Sequence, residues 1–185
     1  FQLTLTSPTP EAVIRYTLDG TWPTANDGTQ YEGPIEIAGP PARGVITLRA
    51  VAVRVDFLPS VVSTFSFLFP EHVLTQPARP AGWPTVWGAG STTTADYEMD
   101  PQVLNTDDVV SRAHEGLVSI PTLSVVLDPE HFLGRTQGIY ANASRSGIAW
   151  ERAGSAEFIN GDGKEGAQID CGIRIQGGSS TNNWK

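Results

Sequence analysis

Apolar and polar positions alternate with a period of two along much of this chain, which is the pattern of half-buried β-strands. Gln2 to Thr6 alternates. So does Val13 to Leu18, where Ile14, Tyr16 and Leu18 share one face and Val13, Arg15 and Thr17 the other. Tyr31 to Ile37 predicts a third strand, with Pro34 marking an edge or a bulge. Val45 to Arg54 carries the strongest alternation: Ile46, Leu48, Ala50 and Ala52 against Val45, Thr47, Arg49, Val51 and Val53. Val61 to Phe69 closes the series, with Phe65, Phe67 and Phe69 on one face. Asp19-Gly20 ends the second strand in a tight turn, because glycine accepts positive φ at little cost. Five short strands separated by Gly/Pro turns predict a β-sandwich over residues 1–70.

The pattern changes after residue 70. Pro77, Pro80, Trp83, Pro84 and Trp87 punctuate residues 71–92, which read as a linker pinned to its neighbours by its tryptophans. Over residues 93–185 strands mix with short helices. Thr106 to Gly116 predicts a helix, with Thr106 as N-cap and Asp107 and Asp108 at its positive end. Pro121 to Asp128 predicts a strand, Pro129 to Leu133 one helical turn capped by Asp128, and Gly138 to Asn142 a short extended piece. Trp150 to Ile159 and Ala167 to Gln176 predict an antiparallel hairpin around Asn160-Gly161-Asp162-Gly163. The expected fold class is mainly β: an Ig-like β-sandwich followed by a partial, β-rich α+β domain.

Composition fits short strands and many turns: 39% apolar, 17% charged, 19 glycines and 14 prolines. A net charge of −8 disfavours sequence-independent nucleic-acid binding. No run of 18 apolar residues predicts a membrane span. The single cysteine, Cys171, excludes an internal disulfide and is expected to be an inert core thiol. Phe1 opens inside a strand-like run and Lys185 follows a glycine-serine turn, so the chain reads as a piece of a longer one.

Two resemblances follow from motif order. IRYTLDGTWPT, YEGPIEI, ITLRAVAV and LPSVVSTFSF resemble the Ig-like module at the C-terminus of chitobiase and related β-hexosaminidases, with its first strand missing upstream of Phe1. VLTQPARPAGWPTVW, ADYEMDP, IPTLSVVLD, GIYAN, WERAGSAEFI and GIRIQGGSS, across residues 73–185, resemble the N-terminal part of the spore-coat-H (CotH) kinase family. Thr181-Asn182-Asn183 departs from that family, which often has an arginine there. Together the resemblances imply a secreted or cell-surface bacterial protein. The second implies an atypical protein kinase that uses ATP and a divalent metal. Its phosphate-holding, metal-binding and nucleophile-positioning parts lie mainly beyond residue 185. No cofactor is therefore expected in this fragment, ATP and Mg belonging to the full-length parent, and the fragment is expected to be inactive alone.

The candidate residues each have a plainer reading. Lys185 stands where a phosphate-contacting lysine of that family begins to appear, or is simply solvated past a turn. Asp96, Glu98 and Asp100 would share one face of a strand and could bind a hard cation through oxygen; otherwise they form a solvated edge. Trp22, Trp83 and Trp87, with Tyr31, suit a platform for sugars; otherwise Trp22 packs beside its turn and the other two pin the halves together. Glu151 and Glu157 lie about 20 Å apart on a regular strand at ~3.3 Å per residue, too far for a glycosidase pair. Asn142-Ala143-Ser144 matches a glycosylation sequon. The alternative to the kinase-related reading is a non-catalytic module that binds a polysaccharide or protein partner at a cell surface.

Overall fold

The computed structural model describes residues 1–38, 44–87, 93–162 and 164–177. Within them the chain is mainly β, with nine strands in three antiparallel sheets. The strands are β1 (Gln2–Leu3), β2 (Val13–Thr17), β3 (Thr29–Gln30), β4 (Ile35–Glu36), β5 (Val45–Val53), β6 (Ser63–Leu68), β7 (Thr122–Leu127), β8 (Arg152–Ile159) and β9 (Glu165–Ile173). The helices are α1 (Pro70–Leu74), α2 (Asp107–Ser119) and α3 (Pro129–Leu133).

A two-stranded sheet, β1-β4, faces a four-stranded sheet in the order β3-β2-β5-β6. Between them Ile35, Ile37 and Leu48 form a buried cluster, and Leu3, Leu5, Tyr16, Leu18, Ile46 and Phe67 pack around it. This is the inward face that the alternation of Val45 to Arg54 predicts. The segment Tyr31 to Ile37 is not one strand. Gly33-Pro34 interrupts it, leaving the short strands Thr29–Gln30 and Ile35–Glu36 on either side, because proline cannot donate to a ladder.

The third sheet has the order β7-β8-β9. Register places Ser124, Val126, Ser155, Glu157, Gln168 and Asp170 on one face, and Leu123, Val125, Ala156, Ile169 and Cys171 on the other. On β8 this face is turned inward against the sandwich: Ser155 is 1% exposed and Glu157 6%. The apolar face is turned outward, and Leu123 and Ile169 are each 63% exposed. Cys171 is a free, half-buried thiol on that outward face rather than a core one.

Three local expectations are corrected. Residues 71–92 open with helix α1, which packs on α2. Helix α2 starts as predicted, with the Thr106 side chain accepting from the Val109 amide, but runs through Gly116 to Ser119. A helical glycine costs only about 1 kcal/mol and does not by itself stop a helix. Gly138 to Asn142 is a helical turn, closed by the Asn142 amide donating to the Gly138 carbonyl at 3.1 Å. The Asn142 side-chain amide donates to the carbonyls of Arg135 and Gly138, so the sequon nitrogen is engaged within the fold.

Candidate functional site at the sheet junction

The β7-β8 sheet docks on the outer face and free edge of the sandwich. Arg49 leaves β5 opposite Leu48 and is 0% exposed. Its Nη2 donates to the Val126 carbonyl on β7 at 3.1 Å, and its guanidinium lies 4.9 Å from the Trp22 ring centroid. Among the described residues Nε and Nη1 have no hydrogen-bond partner. Burial pushes the guanidinium below its ordinary value, and the fields of Asp128 and Asp170 partly offset this. On β6, an edge strand, the Ser66 amide donates to Glu157 Oε2 at 2.8 Å, and the Ser66 and Ser124 hydroxyls share a 2.6 Å hydrogen bond. Glu157 thus caps an edge that would otherwise present open N–H groups.

One end of this junction opens as a cleft. Gly20 holds φ at +82° and donates its amide to the Thr47 carbonyl, so the Asp19-Gly20 turn is fastened to β5. Asp19 Oδ1 accepts from the Thr21 amide at 3.1 Å and the Thr21 hydroxyl at 2.6 Å. The Trp22 amide donates to Asp128 Oδ2 at 3.1 Å, while Asp128 Oδ1 caps α3 by accepting from the Glu130 amide at 2.9 Å. The turn and the start of α3 are thereby joined through one carboxylate. Trp83 forms a wall: its ring stacks edge-on against Tyr97, which in turn contacts Trp87; Trp87 meets Tyr140, and Tyr140 meets Phe132. Burial and Tyr140 push the Tyr97 phenol above its ordinary value, and its hydroxyl donates to the Pro84 carbonyl at 3.0 Å.

The cleft measures about 340 Å³ and is lined by Asp19, Thr21, Trp83, Pro84, Glu130 and Leu133, among others. An adjoining apolar cavity of about 320 Å³ shares Asp19, Trp83 and Pro129 and runs on to Val126, Phe132 and Ile139. Both volumes fall in the range of about 300–1,000 Å³ usual for small-ligand sites. An indole beside two carboxylates and a threonine hydroxyl offers an apolar wall and hydrogen-bond acceptors, a combination suited to a polyol. A larger groove, about 450 Å³, lies at the mouth of the sandwich. Among the described residues its one charged lining residue, Arg54, is paired with Glu11 at 3.2 Å.

The structure separates the sequence candidates. Trp83 lines the cleft. Trp22 is 42% exposed but turns its ring to Arg49. Trp87 is packed between Tyr97 and Tyr140, and Tyr31 packs on the sandwich core. The tryptophans therefore do not form one platform. Asp96, Glu98 and Asp100 do not lie on a regular strand. Asp96 accepts from the Glu98 amide at 3.2 Å and Asp100 from the Gln102 amide at 2.8 Å, so both carboxylates close local turns. Among the described residues no group of three or more His, Cys, Asp or Glu side chains is placed to hold a metal ion. Lys185 lies outside the described residues. Glu130 and Arg49 are not sequence candidates for the site, and Glu157 is one only as half of a rejected glycosidase pair. Asp128 as a cap was legible, and it fixes where Glu130 emerges.

Residues 3–67 match the family model described as Fn3 associated. That segment is similar to an Fn3-associated, Ig-like module, in agreement with the two facing sheets found there. The chitobiase resemblance read from the motifs is supported at this coarser, Ig-like level. The match ends within β6 and does not extend to residues 68–185. No curated protein and no solved structure matches the chain. Among the described residues no helix is long and apolar enough to cross a membrane.

Proposed function

We propose that this chain is a non-catalytic, carbohydrate-associated module of a secreted or cell-surface bacterial protein, and that the junction cleft holds the saccharide. The observation that carries this reading is the cleft itself, where the Trp83 indole stands beside the carboxylates of Asp19 and Glu130. The Fn3-associated match of residues 3–67 supports a surface or carbohydrate-associated role. Sedimentation with insoluble chitin or peptidoglycan tests it. The chain is expected to co-sediment and Trp83→Ala, checked for folding by circular dichroism, to stay in solution. Equal retention of folded wild type and variant, or no retention of either, contradicts it.

A second reading is favoured by the motif order of residues 73–185. On it, residues 1–70 are the sandwich module, 71–92 the linker and 93–185 the leading part of a CotH-like, kinase-related region. ATP, Mg and any phosphate contact by Lys185 then belong to the longer parent. The exposed Leu123, Val125, Phe158 and Ile169 of the third sheet support this reading, since a following layer of such a region would cover them. The next ~150 residues, about a domain, should then carry a lysine and carboxylates suited to Mg–ATP. A parent protein that transfers no phosphate from ATP to protein hydroxyls would contradict it.

A further inference from the structure

The junction cleft is one-sided in charge. Asp19 and Glu130 line it, and among the described residues no lysine, arginine or histidine does. Arg49, on β5, is 0% exposed and directed at the Val126 carbonyl. Asp128, between the two walls, is a third carboxylate, both of whose oxygens already accept backbone amides. The protein as a whole carries −8. Asp19 spends one oxygen on Thr21. Beside them the Trp83 ring supplies a face with negative quadrupole.

From this set we infer that the cleft selects a saccharide bearing a free primary ammonium, an amino sugar, over its N-acylated or anionic counterparts. The inference rests on the saccharide-binding reading above. A neutral pyranose satisfies the acceptors with hydroxyls only. An ammonium adds charge-assisted hydrogen bonds to Asp19 or Glu130 and attraction to the indole face. A uronic acid places a further negative charge among them. Because the carboxylates face solvent, the preference is moderate, about tenfold, and weakens with salt.

The test is calorimetric titration of the whole chain with three oligosaccharides of equal length: glucosamine, N-acetylglucosamine and glucuronic acid. Each is measured in low and in high salt. The glucosamine oligomer is expected to bind about tenfold tighter than the acetylated one at low salt, and the uronic oligomer weakest. Asp19→Asn and Glu130→Gln keep the shape and the turn acceptor while removing charge. Together they should bring the first two ligands to equal affinity without changing the circular dichroism spectrum. Equal affinity of the two in wild type, or a preference unchanged in the double variant, overturns the amino-sugar inference while leaving saccharide binding in place. Binding of none of the three overturns both.

Discussion

The two large sheets treat their faces in opposite ways. The four-stranded sheet of the sandwich turns Leu48 and Ile46 into a closed apolar core and carries Arg49, Thr64 and Ser66 on its back. The β7-β8-β9 sheet turns Ser124, Ser155 and Glu157 inward and leaves Leu123 and Ile169 in solvent. The first sheet gains its stability from apolar area removed from water, on the order of 25 cal/mol per Å². The second is held to it by a few buried polar contacts, whose net worth is smaller and whose loss leaves a partner unsatisfied. The sandwich therefore has the means to fold by itself, whereas the third sheet depends on docking. The cleft exists only where the two are docked.

That contrast orders the expected effects. Leu48→Ala removes the centre of the sandwich core and should cost about 2–5 kcal/mol in denaturant unfolding. A loss under about 1 kcal/mol would place the core elsewhere. Glu157→Ala strands the Ser66 amide and should cost about 1–3 kcal/mol, while Glu157→Gln, which keeps an acceptor, costs less. Arg49→Met should go the other way. It replaces a buried guanidinium that has, among the described residues, one matched donor group and no salt-bridged carboxylate by an apolar chain, so stability holds or rises. A sharp fall in the melting temperature would mean that the cation is paired in solution.

Weaker effects sharpen the same picture. The folded chain holds the Tyr97 proton more tightly than the unfolded chain does. Stability should therefore fall as pH rises above about 10, the ordinary tyrosine value, and Tyr97→Phe should flatten that fall. Ile169→Thr, on the outward face, should change stability by no more than about 0.5 kcal/mol and should reduce self-association seen by light scattering.

Much of the fold is legible in the sequence because alternation is a local signal. It places β2, β5, β6, β7 and the β8–β9 hairpin, and it assigns Ile169 and Cys171 to one face and Asp170 to the other. Capping chemistry is local too, so Thr106 and Asp128 read correctly. The pattern does not say which face turns inward. In β9 neither face is fully closed over: Asp170 is exposed, and Cys171 stands half in solvent. Nor does the pattern show that Arg49 is buried, since that follows from a sheet about 77 residues downstream closing over it. The cleft is harder still. Its walls meet through a hydrogen bond spanning 106 residues, from Trp22 to Asp128. Asp19 in isolation is a turn residue, and it keeps that role while lining the cleft with Trp83 and Glu130.

Docking of the third sheet is the claim on which the cleft depends, and the Ser66 amide reports it most directly. It lies on an edge strand, where an undocked N–H would face water. Amide hydrogen exchange followed by NMR should show Ser66 protected in the wild-type chain and released by Glu157→Ala, with the core amides of β5 unchanged in both. Rapid exchange of Ser66 in the wild-type chain, with β5 protected, would contradict docking and the cleft with it.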